Sequence, residues 1–134
     1  MKKKILVITE SKAIRFLLQT VLNDDYLTVP AAEAGEAMAQ LSKTATPAAI
    51  IIDSELPHME PWELVEHLKT SRLYQHIPMV VISADDEEMI NRHTMELGVE
   101  STFRKPFNPI DLKQKLDILV NQRQEAVVKH LKVV

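Results

Sequence analysis

Short apolar runs alternate with helical patterns along this chain. Residues 4–8 predict a strand, and 13–22 a helix carrying Ile14, Leu17, Leu18, Val21 and Leu22 on one face. Residues 26–29 predict a second strand and 33–41 an alanine-rich second helix. "AAIIID" (48–53) is a continuous apolar run ending in an aspartate. Residues 61–73 predict a third helix with Trp62, Leu64, Val65 and Leu68, and Pro61 suits its first position. "PMVVIS" (78–83) is another apolar strand, followed by a helix over 86–97 that Gly98 would cap. A weak strand over 101–105 and a long helix from 108 complete the pattern.

Strands that are apolar on both faces, each followed by a helix, argue for a parallel sheet covered on both sides. The predicted fold class is therefore α/β, a doubly wound (βα)5 flavodoxin-like sheet of order 2-1-3-4-5 with helices on both faces. The chain has only two glycines, which excludes a P-loop and a dinucleotide fingerprint. The domain is expected over residues 1–121. Residues 122–134 would form a C-terminal helical extension or linker; if the helix carries on through "NQRQEAVVKHLKVV" (121–134), Val120, Val127, Leu131 and Val134 lie near one stripe.

Composition narrows the classes. At 134 residues, 46% hydrophobic and 26% charged, the chain fits one globular domain. A net charge of −3 gives no basic footprint for nucleic acid or an anionic membrane. The four-residue apolar run behind Lys2-Lys3-Lys4 is too short for a signal peptide, and no run approaches a membrane span. With no cysteine, a cytoplasmic location is expected. The five histidines share no spacing, so a zinc site is not expected.

In doubly wound sheets, ligands bind beyond the carboxyl ends of the strands. Those ends carry Thr9 and Glu10, Asp53, Ser83 and Lys105. Two carboxylates and oxygen donors suit a hard cation such as Mg²⁺. A lysine and a hydroxyl suit a phosphoryl group, and an aspartate beside them is a candidate nucleophile forming an acyl phosphate.

"ILVITES", "IIIDSELPHMEPWEL", "PMVVISA" and "FRKPF", in this order and spacing, resemble the receiver domain of two-component response regulators over residues 4 to about 121. The resemblance implies that Asp53 accepts a phosphoryl group from a sensor histidine kinase, a phosphotransfer protein or a small acyl phosphate. It implies that Lys105 pairs with that group, that Ser83 turns inward to bond it, and that the Lys105–Pro106 peptide is cis. Mg²⁺ would be held by Glu10, Asp53 and the main-chain carbonyl of Glu55. The domain would be regulatory rather than an enzyme, at most catalysing its own phosphorylation and dephosphorylation. Its phosphorylated surface around helix 4, strand 5 and helix 5 would engage a downstream effector or a second copy of the chain.

Three positions depart from the family pattern. Thr9 and Glu10 stand where two acids, the second an aspartate, are usual, which predicts weaker Mg²⁺ binding. Thr102 occupies the aromatic switch position, and Phe103 beside it should point to the opposite face. "PHMEP" replaces a glycine-containing loop. A side-chain contribution of Glu55 to the metal site would offset part of the missing charge. The competing expectation is an atypical, phosphorylation-independent receiver acting as a protein-interaction module.

Overall fold

The computed structural model describes residues 2–43 and 45–133, with side chains through Arg123. Ten elements alternate: β1 (Lys3–Ile8), α1 (Lys12–Leu22), β2 (Tyr26–Ala31), α2 (Ala34–Lys43), β3 (Ala49–Asp53), α3 (Glu63–Thr70), β4 (Met79–Ser83), α4 (Glu87–Leu97), β5 (Ser101–Arg104) and α5 (Pro109–Val133). The strands form one parallel sheet of order β2-β1-β3-β4-β5, as the sequence pattern predicts.

Alternation along the strands sorts their side chains into two cores. Leu6, Ile8, Ile50, Ile52, Met79 and Val81 face Ala37, Leu41, Leu64, Val65, Leu68 and Ile90, which come from α2, α3 and α4. Ile5, Val7, Ile51, Val80 and Ile82 face Leu18, Leu22, Leu112, Leu116 and Leu119 of α1 and α5. The central strands β3 and β4 are buried at every position, which is why they read as unbroken apolar runs. Thr102 pairs in register with Val81 and Phe103 with Ile82, and Phe103 packs on the α1/α5 side. The expected opposition of Thr102 and Phe103 holds.

Local chemistry sets the element ends. Ser11 caps α1 by accepting the Ile14 N–H at 3.1 Å, and Asp86 caps α4 by accepting the Met89 N–H at 2.8 Å. Gly98 ends α4 in the left-handed region at φ 70°, as expected. β2 runs two residues further than the apolar pattern, through Pro30, because it is an edge strand where a missing donor is tolerated.

Two expectations are corrected. α3 starts at Glu63 rather than at Pro61, because Trp62 adopts a left-handed backbone at φ 67° that no α-helical turn accommodates. It stops at Thr70 because Ser71 turns extended, leaving Leu73 exposed. Leu17, counted on the apolar face of α1, lies at its rim and is part-exposed.

α5 continues without a break from Pro109 across the expected 121/122 boundary to Val133. Arg123 still touches the body, donating from Nη1 to the carbonyls of Pro47 and Ala48 at 3.1 and 3.4 Å. The side-chain stripe expected at Val127, Leu131 and Val134 lies outside the described residues.

Candidate functional site

β3 delivers Asp53 to the carboxyl edge of the sheet, with its side chain only 5% exposed. A carboxylate this deep needs partners, and three segments supply them. Lys105 Nζ, just past β5, donates to Asp53 Oδ2 at 2.6 Å. Thr9, just past β1, donates from Oγ1 to the same oxygen at 3.3 Å. The Glu55 N–H donates to Asp53 Oδ1 at 3.1 Å. The Lys105–Pro106 peptide is cis, as the resemblance implies.

Thr9 is itself positioned. Its Oγ1 accepts the Ser11 N–H at 3.1 Å, and its carbonyl accepts Arg15 Nη2 from the first turns of α1 at 3.2 Å. Ser83, fully buried, follows the residue of β4 that pairs with Asp53. Its carbonyl accepts the Lys105 N–H at 2.8 Å, which ties the ends of β4 and β5 together. Its hydroxyl bonds Ser54 Oγ at 2.9 Å and accepts the Asp85 N–H at 3.1 Å.

Glu10 and Glu55 are exposed at the rim. Among the described residues, no three His, Cys, Asp or Glu side chains converge on a common point. A side-chain share of Glu55 in a carboxylate trio therefore has no geometric support. The expected donors are the Asp53 carboxylate, buried at this edge, with the Glu10 carboxylate and the Glu55 carbonyl. That set fits Mg²⁺, which proteins ordinarily hold by one or two carboxylates with waters completing the octahedron.

The sequence reading passed over Ser54 and Asp85. The signal for Ser54 lay in the register. Because Asp53 pairs with Ile82, the next pair places Ser54 beside Ser83. Asp85 could not be read, since its role depends on a loop conformation that no periodicity encodes.

Comparison with known proteins agrees with this geometry. Residues 5–117 match the response regulator receiver domain family, and the chain belongs to it. The chain is 29% identical over 126 residues to the alkaline phosphatase synthesis transcriptional regulatory protein PhoP of Bacillus subtilis. That match covers 94% of this chain and 52% of the regulator, so the chain spans about half of that relative's length. It is also 29% identical over 119 residues to the chemotaxis protein CheY1 of Helicobacter pylori, covering 87% of this chain and 96% of that protein. Among solved structures, the chemotaxis response regulator CheY4 of Vibrio cholerae superposes with a TM-score of 0.78 at 27% identity, over 89% of this chain and 99% of that one. The protein is thus a regulatory receiver domain of two-component signal transduction. Among the described residues, no helix is long and apolar enough to cross a membrane.

Proposed function

We propose that Asp53 is the phosphoryl acceptor of this receiver domain. The observation that carries the reading is the 2.6 Å contact of Lys105 Nζ with the buried Asp53 carboxylate, made across two strand ends. Such a lysine neutralises charge that the incoming phosphoryl oxygens would otherwise oppose. A carboxylate oxygen of Asp53 attacks phosphorus in line, an O–P bond forms, and the bond to the donor breaks. The donor is a phosphohistidine of a sensor histidine kinase or phosphotransfer protein, or a small acyl phosphate. Its leaving group departs with the bonding electron pair. Asp53 attacks as the anion, so it has no proton to surrender.

Lys105 moves from the carboxylate to the phosphoryl oxygens as the bond forms, and the Ser83 hydroxyl donates to one of them. Mg²⁺ held by Asp53, Glu10 and the Glu55 carbonyl would supply further positive charge to the transferring group. With Thr9 contributing a neutral hydroxyl where a second acid is usual, that ion would be held loosely. The product carries about −1.5 to −2 charges and biases the surface of α4, β5 and α5 toward an effector or a second copy of the chain. Residues 1–121 form the switching body, and the segment 122–134 carries its state onward.

Incubation with a small acyl phosphate and Mg²⁺ tests this by intact mass. One added phosphoryl group is expected, absent from Asp53→Asn and strongly reduced in Lys105→Ala. An unmodified wild-type protein under these conditions would favour a phosphorylation-independent interaction module.

A further inference from the structure

Four residues beside the acceptor close a hydrogen-bonded ring. Ser54 Oγ bonds Ser83 Oγ at 2.9 Å, and the Asp85 N–H donates to the same Ser83 oxygen at 3.1 Å. Asp85 Oδ2 accepts the Trp62 indole Nε1–H at 2.7 Å. The Trp62 backbone N–H returns to the Ser54 carbonyl at 2.7 Å. The Ser54 N–H is meanwhile fixed to the Ile82 carbonyl of β4 at 2.9 Å, so the ring is anchored on the sheet.

From this ring the indole reaches outward. Trp62 is 3% exposed and stacks on His93 of α4, with ring centroids 4.5 Å apart and planes inclined by 18°. Asp85 also immediately precedes Asp86, the N-cap of α4. Both the start of α4 and its middle are therefore connected to Ser83.

We infer that Trp62 is a positioning residue that couples the Ser83 hydroxyl to α4, through Asp85 and His93. A hydroxyl has one hydrogen and two lone pairs. With the Asp85 N–H on one lone pair and Ser54 donating to the other, Ser83 keeps its own hydrogen for an acceptor arriving at Asp53. An oxygen that draws Ser83 toward it pulls on Asp85, Asp85 pulls on the indole, and the indole carries His93 with it. Position 102, the expected aromatic switch, holds a threonine with no ring to turn. Trp62 supplies a ring already stacked on α4 at His93. The use of this coupling to report phosphorylation rests on the assignment of Asp53 as acceptor. The coupling itself does not.

A double-mutant cycle in the unphosphorylated protein tests the coupling, with amide hydrogen exchange of residues 86–97 as readout and the β3 amides reporting global stability. Ser83→Ala removes the shared acceptor. Trp62→Phe keeps the ring against His93 but removes the indole N–H. Each is expected to speed α4 exchange about fivefold relative to β3, and the double variant no more than the larger single. Asp85→Asn, which keeps an acceptor oxygen, should behave as wild type, and Asp85→Ala as Trp62→Phe. If Ser83→Ala leaves α4 exchange unchanged, or the two effects multiply as independent perturbations, Trp62 does not couple these sites. Acyl phosphate treatment of wild type and Trp62→Phe forms the second arm. Equal phosphoryl incorporation with the α4 response lost only in Trp62→Phe is the expected result. Failure of wild type to incorporate phosphoryl counts against Asp53 as acceptor, while the cycle still decides the coupling.

Discussion

At His58 and Trp62 the backbone enters the left-handed region, with φ of 62° and 67°, without a glycine at either place. Side chains with a Cβ pay about 1–2 kcal/mol for that conformation, partly offset because glycine loses more entropy on folding. Trp62 is held there by its ring and backbone bonds, whereas exposed His58 has no comparable burial. His58→Gly should therefore stabilise the fold by about 0.5–1 kcal/mol, seen as a higher urea midpoint at unchanged slope. Thr9 invites the opposite experiment. Its hydroxyl bonds Asp53 where a second acid would add charge. Thr9→Asp should lower stability without metal by about 1 kcal/mol, through like charges at close range. It should also tighten Mg²⁺ binding about tenfold, measured by calorimetric titration. Thr9 and Asp53 were legible because each ends an apolar run and Lys105 because it closes the weak strand before Pro106, and strand ends converge in this topology. Ser54 and Asp85 were not, since their roles come from pairing register and loop shape.

Among the elements, strands were the most legible. β3 and β4 are buried on both faces, so hydrophobicity alone marks them. α3 was least legible: its apolar positions continue the helical period past both true ends, and backbone conformation at Trp62 and Ser71 overrides that pattern. What fixes the far end of α3 is polar. Lys69 donates to the Glu100 carboxylate, whose Oε2 also accepts the Met79 N–H at 2.9 Å. This ties α3 to the start of β4 and to the turn before β5. The Lys69 side chain is 6% exposed and that of Glu100 28%, so screening is partial on one side only. Lys69→Met should cost about 2 kcal/mol, because Glu100 keeps its charge without its cation. The double variant Lys69→Met/Glu100→Gln should regain part of that loss, and thermal denaturation of the three proteins measures both effects.

For the whole molecule, the edge of the sheet opposite Asp53 is closed by a polar cluster joining β2, α5 and the turn after α1. The Tyr26 hydroxyl donates to Asp117 Oδ1 at 2.5 Å, while Lys113 Nζ lies 2.8 Å from Asp25 Oδ2 and 3.1 Å from Asp117 Oδ2. Burial first, then the hydrogen bond and charge of Asp117, push the Tyr26 hydroxyl well above its ordinary 10.0. Hydrogen bonds to Asp25 and then Asp117 raise Lys113 above its ordinary 10.5. Both groups hold their proton more tightly folded than unfolded. Their contribution is whole below about pH 10 and is lost as pH rises toward the folded values. Urea midpoints should therefore fall above about pH 10, and Tyr26→Phe should make that fall shallower. The same cluster, with Arg123 on the Pro47 and Ala48 carbonyls, clamps the first part of α5 to the sheet. The helix then runs on to Val133 as a single rod. At 1.5 Å per residue, the rod from Pro109 is about 36 Å long. With the clamp reaching Arg123, about 15 Å of helix projects beyond it, and a bend of about 12° there would carry the far end sideways by about 3 Å. The fold thus ends in a projecting arm on which a modest bend at the clamp becomes a displacement the size of a side chain.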